Sequence, residues 1–129
     1  MYRTQMEAAR NGMITQQMKM VAEQEYREPE EIRSLVAKGQ VVICGNKLHQ
    51  CINPKGIGSM LKTKINVNLG VSRDCKDYDI EMKKVEAAIK LGADAIMDLS
   101  SHGNTQPFRR KLISECPAMI GTVPVYDAV

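Results

Sequence analysis

Two amides set one residue apart are the first side chains in this sequence whose type and spacing suggest chemistry. In "KINVNLGVS", Asn66 and Asn68 alternate with Ile65, Val67 and Leu69. A strand sends alternate side chains to opposite faces, so both amides share one face and the aliphatic residues share the other. An amide offers both a donor and an acceptor, which suits a ligand's amide, hydroxyl or phosphate. The competing reading is a pair of asparagines leading a strand into a loop. In "AIMDLSSHGNTQ", Asp98, Ser100 and Ser101 end a second apolar run, and Gly103 and Thr105 introduce a helix. Such a helix N-terminus can receive an anion, although the same residues serve ordinary strand-to-helix turns. Met97, inside that run, reads on residue type as core filling.

Other chemistry-bearing residues carry weaker signals. "GIGSMLK" is Gly-x-Gly alone and lies in the Gly/Asn/Pro-rich stretch "GNKLHQCINPKGIGS", which reads as loop. It matches neither a P-loop nor a dinucleotide fingerprint. His49 and His102 have no third ligand at a metal-binding spacing and read as loop or surface histidines. Cys44, Cys51, Cys75 and Cys116 form no C-x-x-C pair. They read as free thiols in a reducing compartment, with no zinc ribbon or iron–sulfur run.

The elements that must position these residues fall into two parts. "TQMEAAR" is a short helix stopped at Asn11-Gly12. "TQQMKMVAEQE" starts on the N-cap Thr15 and puts Met18, Val21 and Ala22 on one face. "EPEEIRSLVAKG" opens at Pro29, buries Ile32, Leu35 and Val36, and stops at Gly39. Val41 to Cys44 reads as a short strand. From about residue 61 the pattern becomes β-α-β-α-β. "KTKINVNLG" is the first strand. "DYDIEMKKVEAAIKLG" is a helix capped by Asp77 or Asp79, with Tyr78, Met82, Val85 and Ile89 inward and Gly92 at its end. "DAIMDLS" is the second strand, "TQPFRRKLISEC" a helix opened by Thr105, and "AMIGTVPVY" the third strand.

Alternating β and α units predict an α/β fold with parallel strands and right-handed crossovers. Asn68, Met97 and Tyr126 recur at an equal interval of 29 residues. That interval places them at one height, at the carboxyl ends of successive strands, where both (β/α)8 barrels and doubly wound sheets bind ligands. Three strands cannot close a barrel, and a last strand with an open edge invites pairing. The chain is therefore expected to be the front part of a longer protein.

Composition bounds the partners. A net charge of +3 with interspersed signs, four Tyr, one Phe and no Trp gives no footprint for nucleic acid. No apolar run reaches the ~20 residues of a membrane span. The N-terminus lacks the apolar centre of a signal peptide, so a cytoplasmic protein is expected.

At "KTKINVNLGVS", "GADAIMDLS" and "IGTVPVYDAV" the sequence resembles the phosphomethylpyrimidine synthase family, which makes the thiamine pyrimidine. "TQMEAARNGMIT" with "EEIRSLVAKGQVVI" is similar to that family's N-terminal region. The resemblance implies a radical S-adenosylmethionine lyase, with a (β/α)8 barrel behind an N-terminal domain. Its reaction converts 5-aminoimidazole ribonucleotide into 4-amino-5-hydroxymethyl-2-methylpyrimidine phosphate in thiamine biosynthesis. Residues 1–60 would then be an N-terminal domain segment, and residues 61–129 the first three β/α steps of the barrel. Asn68, Met97 and Tyr126 match the family's substrate-binding residues. S-adenosylmethionine, a 4Fe-4S cluster and a divalent zinc are the implied cofactors, and a homodimer the implied assembly. The metal-ligand histidines and the C-x-x-C-x4-C cluster motif would lie beyond residue 129, so this chain is expected to hold neither metal nor cluster and to be inactive alone. In "CGNKLHQ", Asn46 and His49 fit a family run whose Pro and second Asn are lost here. The family resembles 5-hydroxybenzimidazole synthases, so that product is an alternative. A truncated, non-catalytic paralogue is another.

Overall fold

The computed structural model describes residues 2–128 and divides into two compact units. The first runs up to Gly45 and includes Pro54–Thr63. The second comprises Asn46–Asn53 and Lys64 onward.

In the first unit, the helices α1 (Gln5–Arg10), α2 (Gln16–Glu25) and α3 (Pro29–Ala37) start where the capping residues dictate. The Thr4 hydroxyl accepts from the Glu7 N–H at 3.1 Å, and the Thr15 hydroxyl accepts from the Met18 N–H at 3.2 Å. α3 opens on Pro29 behind a reciprocal Glu28–Glu31 capping box. Met18, Val21, Ala22, Ile32, Leu35 and Val36 meet Val41 and Ile43 in one core. Each large aliphatic side chain buried there stabilises by about 1.5–3 kcal/mol.

Strand β1 (Val41–Ile43) pairs antiparallel with β2 (Gly56–Gly58), with Val41 opposite Gly58 and Ile43 opposite Gly56. The Gly-x-Gly stretch expected as loop is therefore a strand. Its glycines admit close backbone: a Cβ on Gly58 would lie 2.1 Å from the Gln40 carbonyl oxygen. Their role here is strand packing.

The second unit is α/β. Strands β3 (Asn66–Leu69), β4 (Ala95–Asp98) and β5 (Met119–Thr122) form a parallel sheet in sequential order. Helix α4 (Tyr78–Lys90) joins the first two strands and α5 (Gln106–Glu115) the last two. Asp77 caps α4 by accepting from the Asp79 and Ile80 N–H groups at 2.9 and 3.1 Å. Met82, Val85 and Ala88 of α4 share one core with Phe108 and Leu112 of α5 and with Leu69 and Ile96 of the sheet. Both helices therefore cover the same sheet face. Tyr78 stacks on Phe108 with ring centroids 5.2 Å apart. Ile65, expected on the apolar side with Val67 and Leu69, lies before the strand and is 58% exposed. Its backbone N–H instead donates to the Asp94 carboxylate at 2.9 Å.

The segment Asn46–Asn53 straps the second unit. The Asn53 N–H donates to the Pro117 carbonyl at 2.8 Å, and the Cys51 thiol to the Ile113 carbonyl at 3.3 Å. His49, expected as a loop or surface histidine, is in a loop but buried. Its Nε2 lies 2.6 Å from the Cys116 carbonyl, and since a carbonyl only accepts, Nε2 carries the proton. Among the described residues, no helix is long and apolar enough to cross a membrane.

Candidate functional site

Register decides which side chains share the sheet face turned away from α4 and α5. Asn66, Ala95 and Met119 form one row across the sheet, and Asn68, Met97 and Gly121 the next. Neighbours in register on parallel strands project to the same side. The helix-covered rows are Val67–Ile96–Ile120 and Leu69–Asp98–Thr122.

On the other face the two asparagines are exposed, and the Asn66 amide donates to Asn68 Oδ1 at 2.9 Å. That bond engages the Asn68 oxygen, and the Asn68 side chain remains exposed. Beside it, Met97 reaches over β5. A Cβ on Gly121 would lie 2.8 Å from Met97 Cε and 2.9 Å from Sδ. The thioether thus rests on bare backbone, and Gly121 makes room for it. A lone glycine inside a strand is the sequence signal for this close approach.

Tyr126 sits elsewhere than the equal spacing implied. β5 ends at Thr122, and Tyr126 lies on a 3-10 turn, Pro124–Asp127, with 45% of its surface exposed. The residue level with Asn68 and Met97 is Gly121. Pro124 has no N–H to donate to a ladder and a fixed φ, so the chain turns there. The structure therefore brings Asn68 and Met97 side by side and puts Tyr126 on the turn that follows the third strand.

Asp98 and Ser100 are fully buried and act on the scaffold. Asp98 Oδ1 accepts from the Ser100 N–H at 2.9 Å, and Ser100 Oγ accepts from the Val71 N–H at 3.1 Å. Asp98 Oδ2 accepts from Arg109 Nε at 2.7 Å, while Arg109 Nη1 donates to Asp127. Thr105 opens α5 but makes no cap bond. Its hydroxyl donates to Asp127 Oδ1 at 3.2 Å, which sets a carboxylate where an anion had been considered. The Arg109 hydrogen bond holds the Asp127 carboxyl below the usual carboxylate range. Burial pulls the Arg109 pKa down, but its hydrogen bonds to Asp127 and Asp98 raise it on balance.

A second buried carboxylate pins the loop after β3. Glu81, on the inward face of α4, accepts from the Gly70 N–H at 2.8 Å and from Lys84 Nζ at 2.6 Å. The bond to Glu81 raises the Lys84 pKa. Sequence reasoning missed Glu81 and Arg109. The one available sign was an acid on the apolar stripe of α4. The four cysteines are free, and no group of three or more His, Cys, Asp or Glu converges on a metal position among the described residues.

A parallel β/α sheet with α4 and α5 on one face, and an amide and a thioether abreast on the other, defines an α/β protein. Comparison with known proteins makes the class specific. The radical SAM ThiC family model matches residues 4–129, and the chain belongs to that family. It is 58% identical over 128 residues to a phosphomethylpyrimidine synthase of Alkaliphilus oremlandii, covering 99% of this chain and 29% of the relative. Similar proteins of the same name occur in Pelotomaculum thermopropionicum, at 59% identity and 30% of the relative's length, and in Clostridioides difficile, at 55% and 30%. The chain thus spans less than a third of these relatives.

Proposed function

We propose that this chain is the N-terminal portion of a radical S-adenosylmethionine enzyme of thiamine biosynthesis that makes the pyrimidine phosphate from 5-aminoimidazole ribonucleotide. Residues 1–60 serve as its N-terminal domain segment, and residues 61–129 as the first three β/α steps of a (β/α)8 barrel. The face bearing Asn68 and Met97 then turns to the barrel lumen. Asn68 hydrogen-bonds the substrate, Met97 packs against it, and Tyr126 offers its hydroxyl from the turn. The observation that carries this reading is the register of Asn68 with Met97 on the face turned away from α4 and α5. The relatives' shared name favours the pyrimidine over the benzimidazole product.

No ligand set for zinc or for a 4Fe-4S cluster is present among the described residues. These groups, with S-adenosylmethionine, would be held by other parts of the enzyme. The contribution of this chain is to bind and orient the substrate. A homodimer is the assembly proposed.

The test uses a chimera: the Alkaliphilus oremlandii synthase with its matching segment replaced by this sequence. Asn68→Ala is expected to weaken binding of 5-aminoimidazole ribonucleotide about tenfold by calorimetry, as loss of one or two hydrogen bonds would. Unchanged affinity would refute the assignment.

A further inference from the structure

We propose that Arg109 is a positioning residue that sets Tyr126 relative to Met97. This rests on the reading that both touch substrate. Asp98 directly follows Met97 and Asp127 directly follows Tyr126, and one guanidinium joins the two carboxylates. Arg109 Nε bonds Asp98 at 2.7 Å and Nη1 bonds Asp127. The two ends of this bridge differ in burial. Asp98 is fully buried at the end of β4, where it also accepts from the Ser100 N–H. The turn Pro124–Asp127 buries no residue of its own. Within the turn the bonds are local, from the Tyr126 N–H to Val123 and from the Ala128 N–H to Val125. Beyond it, among the described residues, its hydrogen bonds run through Asp127 to Arg109 and Thr105.

A turn with no core of its own opens easily unless something ties it to the rigid sheet. Arg109 is that tie. A planar fork can bond two carboxylates in fixed directions from a single side chain, which a lysine ammonium does not reproduce. The bridge therefore holds a tyrosine borne on an exposed loop at a set distance from the thioether on β4.

The experiment uses the same chimera with Asp127→Asn, which removes the negative charge of the acceptor and so weakens the bond at the exposed end while leaving Asp98 paired. Hydrogen exchange of the 123–128 amides without ligand should quicken about tenfold in Asp127→Asn and in Arg109→Lys, and stay unchanged in Tyr126→Phe. Affinity for 5-aminoimidazole ribonucleotide should fall roughly fivefold in Asp127→Asn. The same change made in a Tyr126→Phe background should cost less than about twofold, because the two residues then act as one unit. Unchanged exchange, or equal losses in both backgrounds, overturns the proposal. If Tyr126→Phe alone binds like wild type, the substrate-contact reading of Tyr126 fails, and exchange alone decides whether Arg109 ties the turn.

Discussion

Gly70→Ala should be among the most damaging single-methyl additions to the second unit, and its cost can be worked from the backbone. Gly70 follows β3 with φ of +141°, a conformation an alanine adopts only under strain of about 1–3 kcal/mol. The new Cβ would also lie 2.5 Å from the Ser100 nitrogen and 2.8 Å from the Leu99 carbonyl carbon. Both neighbours are backbone, so the loops after β3 and β4 must separate. That separation threatens the bonds from the Leu99 N–H to Leu69, from the Val71 N–H to Ser100 Oγ and from the Ser101 N–H to Val71, at 2.7, 3.1 and 3.0 Å. Losing two of them costs roughly 2 kcal/mol. Alanine's lower unfolded-state entropy returns about 0.4–1 kcal/mol. The net destabilisation is about 2–5 kcal/mol, equivalent to a fall of at least ~30-fold in exchange protection at the Leu99 and Ser101 amides. Gly92→Ala is the control. Its φ is +87°, but nothing lies within 4 Å of the added carbon, so only the strain of about 1–2 kcal/mol applies. Hydrogen-exchange mass spectrometry of the two variants in the chimera separates the contributions. If Gly70→Ala lost no more protection than Gly92→Ala, the close crossing of these loops would be wrong.

Two further outcomes follow from the electrostatics of the same unit. Because the Asp127 pKa is depressed by Arg109, its bond is fully formed above the ordinary carboxylate value of about 3.9 and is lost as pH falls through the depressed one. Exchange at residues 123–128, corrected for intrinsic rate, should therefore stay flat from about pH 7 to 5 and rise only below about pH 4; a rise already complete at pH 5 would contradict the pairing. Burial pushes the Cys116 thiol up, whereas Cys51 and Cys75 are exposed. Alkylation followed by peptide mass spectrometry should find Cys116 at least ~100-fold slower than Cys75, and equal rates would contradict its burial.

The parts of this architecture that local chemistry governs were legible in the sequence. Thr15, Pro29 and Asp77 mark helix starts because capping is decided within a few residues. The alternation in "INVNL" correctly paired Asn66 with Asn68 because a strand's period is two. What escaped depends on partners far along the chain. The strand at Gly56–Gly58 has too few side chains to show a pattern and exists through its pairing with β1. The equal spacing of Tyr126 assumed β/α repeats of equal length, but the strands are equally long and the repeat from Met97 to Gly121 is shorter than the one from Asn68 to Met97. The burial of His49 went unseen because its partner, Cys116, lies 67 positions away. Asp98, Arg109 and Asp127 looked like ordinary charges, and only the fold reveals that one guanidinium serves both acids.

The excursion Asn46–Asn53 has a consequence for biosynthesis. The chain leaves its first unit at Asn46, joins the second, and returns at Pro54 to finish the first. The strap's anchor at Cys116 is translated 67 residues after His49. At about 5–20 residues per second, His49 waits roughly 3–13 s for that partner. Over that interval the nascent strap is a peptide without its acceptor, open to a chaperone or a protease. Translation speed from His49 to Cys116 thereby sets how long this segment stays vulnerable.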